Sequence, residues 1–296
     1  MGEKQAGYGG VAMPGPRPAD ILLPCRARPT FHPQIRFRQR ARGHLLAPSE
    51  LIALRIAVAV LLGLCVLGAS RAALAYRPFD GTDAAVVGPG EFEVELGPAG
   101  YLRQGADRAL IAPALTLNYG FAPRWEAVVE GQAVHGFSAG NRQSSLVGNG
   151  VFLKNVLREG VLQDAPGPSV AAEYGLLLPG IGGEAGTGGS IAGIVSQRWP
   201  WLTLHLNAVA AVTRQQHGDL FLGAIIEGPQ TWPVRPVAEV FHERDFGQLK
   251  TTSVLVGAIW QVSDRLAFDV GLRRAWVNDH TVDELRLGVT FGFQTR

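Results

Sequence analysis

Cysteine is nearly absent from this chain. Only Cys25 and Cys65 occur among 296 residues, and both lie near the amino terminus. If that part is removed during maturation, no thiol remains, which excludes a disulfide framework and a cysteine-based metal site. A chain without thiols also suits export through an oxidising compartment. The histidines lack metal-ligand spacing as well, so we predict neither a metal nor a cofactor.

Long apolar runs are also scarce, and the one that is present is short. Ile56–Gly68 forms an apolar run of about 13 residues, whereas a spanning helix needs about 20. Arg55 precedes the run, and Ala73-Leu-Ala75 follows it, which is the pattern of a cleaved secretory signal. We therefore predict a signal peptide at residues 51–75, with cleavage after Ala75. Leu64 stands before Cys65 where a lipoprotein signal has a small residue, which disfavours a lipid anchor there.

The first fifty residues lack any apolar period. Residues 1–50 are rich in proline and arginine, so we interpret them as a disordered basic leader or as a start site placed too far upstream. Ten basic residues against three acidic ones precede Tyr76. A nucleic-acid-binding arm is the alternative, but no aromatic or helical pattern accompanies the arginines, so we predict no nucleic-acid partner.

Residues 76–296 show no helical period, and what is present instead is short apolar alternation between glycine-rich and polar turns. The closing stretch is the clearest example, because every second residue from Leu285 to Phe293 is apolar. About twelve segments of roughly ten residues follow this pattern, the length of a tilted membrane-crossing strand. They are Glu91–Gly97, Leu110–Tyr119, Trp125–Val134, Leu146–Leu157, Val170–Leu178, Ser190–Arg198, Leu202–Val212, Leu220–Glu227, Val234–Glu243, Thr252–Gln261, Leu266–Arg273 and Asp283–Phe293.

Alternation alone fits a soluble sandwich or barrel with its apolar face inside, or a membrane barrel with that face outside. Aromatic residues near segment ends on the apolar side, such as Trp125 and Trp201, favour the membrane barrel. The links near Pro123, Pro200 and Asp264 are tight, whereas Gly136–Ser144, Gly180–Gly189 and Ala275–His280 are looser. We therefore predict an all-β, antiparallel, up-and-down transmembrane barrel of about 12 strands, with both mature termini on the periplasmic side.

The polar side of each strand should face the lumen of such a barrel. With around twelve strands, the lumen should be narrow, and opposite charges within it should pair. The candidates to face inward are Glu93, Glu126, Glu130, Glu173, His205, Asn207, Arg235, Glu239, Asp269, Arg273, Glu284 and Arg286.

The start of the mature region resembles a known family. Arg77-Pro-Phe-Asp80 and Val87–Gly97, followed by Leu117–Glu126, Pro168–Gly175 and Leu285–Val289, resemble the phenol-degradation meta-pathway family of outer-membrane transporters. The resemblance implies a barrel in the outer membrane of a Gram-negative bacterium that passes small, often aromatic, molecules. It brings no catalytic residues. The acidic pair common after the Arg-Pro-Phe start is split here into Asp80 and Asp83.

The closing strand also resembles the C-terminal signal that the barrel-assembly machinery recognises. Val289, Phe291 and Phe293 would then contact lipid, with Phe291 and Phe293 as the assembly signal. That signal usually ends on an aromatic residue, whereas Gln294-Thr-Arg296 follows Phe293 here.

Three functions stay open from the sequence. The leading hypothesis is a monomeric outer-membrane channel for passive uptake of small apolar or aromatic solutes, without enzymatic activity. The second is a lumen-plugged structural or adhesion barrel. The third is a lipid hydrolase that uses His205, Asn207 and Ser253, although Ser253 falls on the apolar side of its strand and should point away from His205.

Overall fold

The structure is a computed structural model that describes residues 77–138, 142–247 and 249–294. The predicted leader and signal peptide lie outside these residues. Among the residues described, no helix is long and apolar enough to cross a membrane. Twelve antiparallel strands form one closed barrel. They are β1 Glu91–Gln104, β2 Asp107–Ala122, β3 Trp125–Gly136, β4 Ser144–Arg158, β5 Ser169–Leu177, β6 Gly188–Trp199, β7 Leu202–Val212, β8 Gly218–Glu227, β9 Val234–Asp245, β10 Leu249–Ser263, β11 Leu266–Val277 and β12 His280–Gln294.

The predicted strand count and topology are confirmed. Every strand pairs with its neighbours in the sequence, and β12 closes the ring on β1 from the Glu91–Gln294 pair to the Gln104–Val282 pair. On β11, the buried Asp269 and Arg273 alternate with the exposed Phe268, Val270 and Leu272. Charged side chains therefore face inward and apolar ones outward, which is the arrangement of a membrane barrel.

The predicted contrast in loop length is wrong. The termini end of the barrel carries the two-residue turns at residues 123–124, 200–201 and 264–265, but also a link of ten residues at 159–168. The opposite end carries two-residue turns as well, because β1 runs on to Gln104 and β11 and β12 approach each other to leave only residues 278–279. The glycines and charges near these strand ends had been interpreted as loop. Backbone pairing between neighbouring strands continues through these glycines and charged residues, so they belong to the strands.

The wall is irregular at one height on β1, β2 and β3. Register shifts occur between Leu96 and Ala99, between Ile111 and Ala114, and between Glu130 and Gln132. A bulge inserts residues into one strand and changes which side chains face inward. Beyond the bulge on β1, Leu102 is buried while its neighbours Tyr101 and Arg103 are exposed.

The outer surface is a broad apolar band, and two features mark its ends. At the termini end, Phe92 stacks on Tyr119 at 4.4 Å and on Phe293 at 5.4 Å between ring centroids. At the opposite end, Asp283 holds Arg103 at 3.0 Å and Arg274 at 2.7 Å, and all three side chains are partly exposed. A soluble protein rarely exposes so large an apolar surface.

Candidate functional site

Residues 77–90, which we call the inner segment, lie inside the barrel. Their polar groups contact side chains of β3, β4, β6, β7, β9 and β12. A short segment that reaches strands on opposite sides of a closed ring has to run through its lumen. Residues 77–81 are all buried. The candidate site is therefore this segment and the lumen side chains that hold it.

Phe79 is the apolar anchor of the inner segment. Its side chain is 1% exposed and packs with Ile225, Val237, Leu255 and Ile259 from β8, β9 and β10. Full burial of one such side chain stabilises the packed state by about 1.5–3 kcal/mol. Apolar residues on the inward side of these strands thus serve to dock the segment.

Asp80 is the polar anchor, and it joins a buried charge network on β11 and β12. Arg286 donates from Nη2 to Asp80 Oδ1 at 3.0 Å and from Nη1 to the Pro78 carbonyl at 2.7 Å. Glu284 accepts from Arg273 Nε at 2.8 Å and from Arg286 Nε at 3.0 Å. Arg273 lies 4.0 Å from the second oxygen of Asp80. Two cations and two carboxylates thus balance each other in a confined space, as buried charges require.

The backbone of the inner segment is also fixed by lumen side chains. Glu239 accepts from the Asp80 amide at 2.8 Å and from the Gly81 amide at 2.6 Å. Asn207 accepts from the Thr82 amide and donates back to the Thr82 carbonyl, at 3.0 and 2.9 Å. A coil segment has no strand partner for its amides, so these side chains supply the hydrogen bonds that a buried backbone needs.

Arg77 approaches the wall where β1 has no side chain. A Cβ atom added at Gly97 would lie 2.6 Å from the Arg77 guanidinium, so a larger residue there would displace that group. The Arg77 Nε then lies 3.8 Å from Asp269 on β11. Gly97 had been interpreted only as the end of a strand, but it makes space for the inner segment.

A serine, a histidine and a glutamate meet on β6, β7 and β8. Ser196 Oγ lies 2.7 Å from His205 Nδ1, and His205 Nε2 lies 3.4 Å from Glu227. This order matches a nucleophile, a base and an orienting acid. However, Ser196 is fully buried and its hydroxyl accepts from the Ala84 amide at 3.0 Å. The set therefore holds the inner segment against the wall and gives a substrate no approach to the hydroxyl.

The placement of Ser253 corrects the sequence analysis. Ser253 is fully buried and faces inward, where its Oγ lies 3.4 Å from Arg273 Nη1. The prediction that it points outward was wrong because inward positions on β10 are also apolar, including the Phe79 contacts Leu255 and Ile259. His205 contacts Ser196 and not Ser253, so the predicted Ser-His-Asn set is not joined by its hydrogen bonds.

The twelve residues that the sequence predicts to face the lumen are all buried or half-buried. Eleven are buried, and Glu130 is half-buried and lines a small cavity of about 60 Å³ against Arg286. Six of them contact the inner segment directly: Glu126, Asn207, Glu239, Asp269, Arg273 and Arg286. Arg235 pairs with Glu227 at 3.5 Å. Glu173 lies opposite Lys154 in the β4–β5 register.

Sequence reasoning missed Lys154, Ser196, Glu227 and the inner segment itself. Lys154 lies on β4, whose two faces are both apolar in part, so the alternation there gives no clear inward side. The inner segment has no strand period at all. The split acidic pair was its one sequence signal: Asp80 contacts Arg286, and Asp83 contacts Lys154 at 3.2 Å.

A smaller and a larger cavity lie beside the inner segment in the described part of the chain. The smaller one lies at the wall irregularity and is lined by Pro78, Gly97, Gly131 and Gln132 among others. The larger one, which we call the vestibule, has a volume of about 890 Å³ at the termini end. It lies between residues 82–93 and the turns at 123–124 and 264–265. Within the described residues, no group of three or more potential ligands is arranged to hold a metal ion.

The link between β5 and β6, residues 178–187, lies at the opposite end and contacts β4 through the Leu146–Ile181 bridge. Glu184 in this link accepts from the Gly148 amide at 3.0 Å and lies 3.3 Å from Arg214. Arg214 also donates to the Leu178 carbonyl at 2.6 Å. Gly180–Gly189, interpreted from sequence as an outer loop, thus folds back over the strand ends.

The closure of this link should depend on pH. Burial raises the pKa of Glu184 to about 8 from its ordinary 4.5, against the lowering effect of Arg214 and the Gly148 amide. The folded link favours the protonated carboxyl, so this contribution is complete below pH 4.5 and is lost as pH rises toward 8. Between pH 6 and pH 9, amide exchange at Gly148 should accelerate more in the wild type than in Glu184→Gln. Equal acceleration in both proteins would contradict the assignment.

The charge network should matter for barrel stability. Arg273→Ala leaves Glu284 and Asp80 to share Arg286, which should cost about 3–5 kcal/mol. Arg274→Ala, one residue on, removes an exposed ion pair with Asp283 and should leave the stability of the barrel nearly unchanged. The loss of the folded band with temperature in unboiled gels measures both. Equal midpoints for the two variants would argue against a structural role for Arg273.

This chain is similar in fold to a solved outer-membrane channel. No family model matches the chain, and no curated protein matches it. An outer membrane channel from Pseudomonas putida F1 aligns with a TM-score of 0.51 at 13% identity, covering 71% of this chain and 97% of that one. A KdgM porin aligns at 0.47 and 11% identity, covering 68% and 99%. The CymD monoaromatic hydrocarbon channel aligns at 0.42 and 8% identity, covering 71% and 90%. At these identities the likeness concerns the fold alone.

Proposed function

We propose that this protein is an outer-membrane channel for passive uptake of small solutes, and that the inner segment is its plug. The observation that carries the proposal is the coil segment that runs through the lumen. Hydrogen bonds, ion pairs and one docked phenylalanine hold that segment in place. Contacts of these kinds can open locally without breaking the strand pairing of the barrel.

The apolar exterior supports the location in a bilayer, and the assembly machinery that inserts such barrels is the expected partner. We propose a monomer that contacts lipid along the whole ring. Fractionation should recover the protein in the outer membrane, with an unboiled gel band that shifts on heating. A protein recovered in the soluble periplasm without that shift would refute the location.

The substrate class we propose is small apolar or aromatic molecules. The resemblance of the mature start to the phenol-degradation family supports it, and so does the narrow lumen, where apolar clusters such as Phe221 with Phe241 lie among the charges. The test is flux of phenol into liposomes that contain the purified protein, against empty liposomes. Faster phenol entry with exclusion of sucrose is expected.

The filled lumen also favours a second candidate, a structural barrel without transport. The decisive measurement compares the wild type with a variant whose inner segment is released, such as Asp80→Asn. If phenol enters liposomes with either protein no faster than it enters empty liposomes, the structural alternative is established. Flux in the released variant alone would instead show a channel that needs a trigger.

A further inference from the structure

The vestibule contains a carboxylate, that of Glu93, for which the described residues provide no hydrogen-bond donor, although Lys154 acts on it at longer range. Glu93 on β1 is 4% exposed and lines the vestibule. Within the described residues its carboxylate accepts no hydrogen bond and forms no ion pair. Its cross-strand neighbour on β12 is Gly292, which has no side chain to cover it. A buried charge without a partner is costly, so a ligand that pairs with Glu93 would be stabilised.

The carboxylates near Glu93 already have partners. Glu95 accepts from the Asn118 amide group at 3.0 Å, and Glu126 accepts from the Val87 backbone amide at 2.8 Å. Asp83 pairs with Lys154 at 3.2 Å. The charged groups close enough to act on Glu93 are therefore three carboxylates and one lysine. Glu93 is the member of this cluster that lacks a donor.

The wider surroundings also favour positive charge. Eight acidic side chains line the vestibule against four basic ones, so acidic groups outnumber basic groups by four. Across the described residues, fourteen buried side chains are acidic and six are basic. A cavity lined by one sign of charge attracts ligands of the other sign.

The same cluster shows which cation it accommodates. Lys154 places its ammonium 3.2 Å from both Asp83 Oδ1 and Thr82 Oγ1, so an –NH₃⁺ group already fits there. The vestibule also offers apolar side chains, Val86, Val156 and Leu162. A primary ammonium on a small apolar body satisfies both surfaces.

We propose that the vestibule binds small protonated amines with an apolar body, and that Glu93 is the carboxylate that receives the ammonium group. This deepens the proposed channel function by adding a solute class, but binding itself does not require conduction. A protein that binds amines and passes no phenol would keep this inference and lose the channel.

The test is binding of benzylamine to the purified full chain in detergent at pH 7, with benzyl alcohol as the uncharged counterpart. Glu93→Gln keeps the shape and removes the charge, and should weaken benzylamine binding at least about tenfold, since hydrogen bonds to charged groups contribute about 1.5–3 kcal/mol. Benzyl alcohol should bind more weakly than benzylamine and equally to both proteins. Glu159→Gln is the matched control, because Glu159 lines the same vestibule but is half exposed and faces Arg124 at 3.9 Å.

Several outcomes would overturn the proposal. They are benzylamine binding that is absent from the wild type, unchanged in Glu93→Gln, or weakened equally in Glu159→Gln. Displacement of benzylamine by magnesium chloride far beyond that by sodium chloride of equal ionic strength would assign the site to an inorganic cation. If Glu93→Gln loses its heat-shifted band, Glu93→Asp takes its place, and retained benzylamine binding there is the expected result.

Discussion

Replacing Asp80 with asparagine is expected to open the lumen. Asp80 links the inner segment to both arginines of the β11–β12 network, and it is fully buried. Removing one partner of a buried charge network costs about 3–5 kcal/mol. A loss of 3 kcal/mol multiplies the open fraction of the plug by about a hundred. Single-channel recording in planar bilayers should therefore show frequent openings where the wild type shows few.

The matched control for this variant is Asp283→Asn. Asp283 also holds two arginines, but on the outer surface, so its replacement removes similar contacts without touching the lumen. Its conductance should equal that of the wild type. Openings of equal frequency in both variants would mean that the recordings report a general loosening of the barrel. If Asp80→Asn opened as rarely as the wild type, the inner segment would not gate the channel.

Replacing Phe293 with aspartate is expected to block barrel assembly. Phe293 lies on the outer surface of the closing strand and stacks on Phe92 across the β12–β1 seam. Aspartate loses that stack and places a charge where the seam meets lipid, which is destabilising on the lipid side of a barrel. The unboiled, heat-shifted band should disappear, and the chain should accumulate in the periplasm.

The control for the seam variant is Gln294→Asp. This residue is the next one along the strand and is exposed, but it belongs to no aromatic stack. Assembly should continue, since the added charge does not face lipid. Loss of assembly in both variants would show that any negative charge at this end is harmful and that the aromatic seam has no special part.

The sequence allowed the strands to be located but not the contents of the lumen. The alternation of apolar and polar residues indicates which side of a strand faces outward. It located all twelve strands, and eleven of the twelve polar residues that it assigned to the lumen are buried. It failed on β10, where Leu255 and Ile259 are apolar and yet face inward to hold Phe79. The predicted first segment ended at Gly97, so it did not include the β1 residues after the bulge, where the inward positions change parity. The failure on β10 arises because the lumen has an occupant of its own.

The inner segment was beyond reach for a related reason. Its conformation has no period, because each residue takes its position from a different strand: Asp80 from β12, Thr82 from β7, Ala84 from β6 and Val87 from β3. These contacts depend on the positions of the strands in the closed ring. A local sequence pattern does not encode those positions. The lone hint was a pair of acidic residues that lacked an obvious partner.

In the membrane location that we propose, the outward arginines described above would also set how deep the barrel lies in the bilayer. Guanidinium groups avoid hydrocarbon, so Arg103 and Arg274 mark the level of the lipid phosphates at the opposite end, and the Phe92–Tyr119–Phe293 stack marks the interface at the termini end. On β12, the distance between these two levels runs from Asp283 to Phe293. Ten steps of about 3.3 Å, tilted by about 40°, correspond to a height of about 25 Å. The barrel is thus matched to a thin hydrocarbon layer, and a thicker bilayer would have to compress around it.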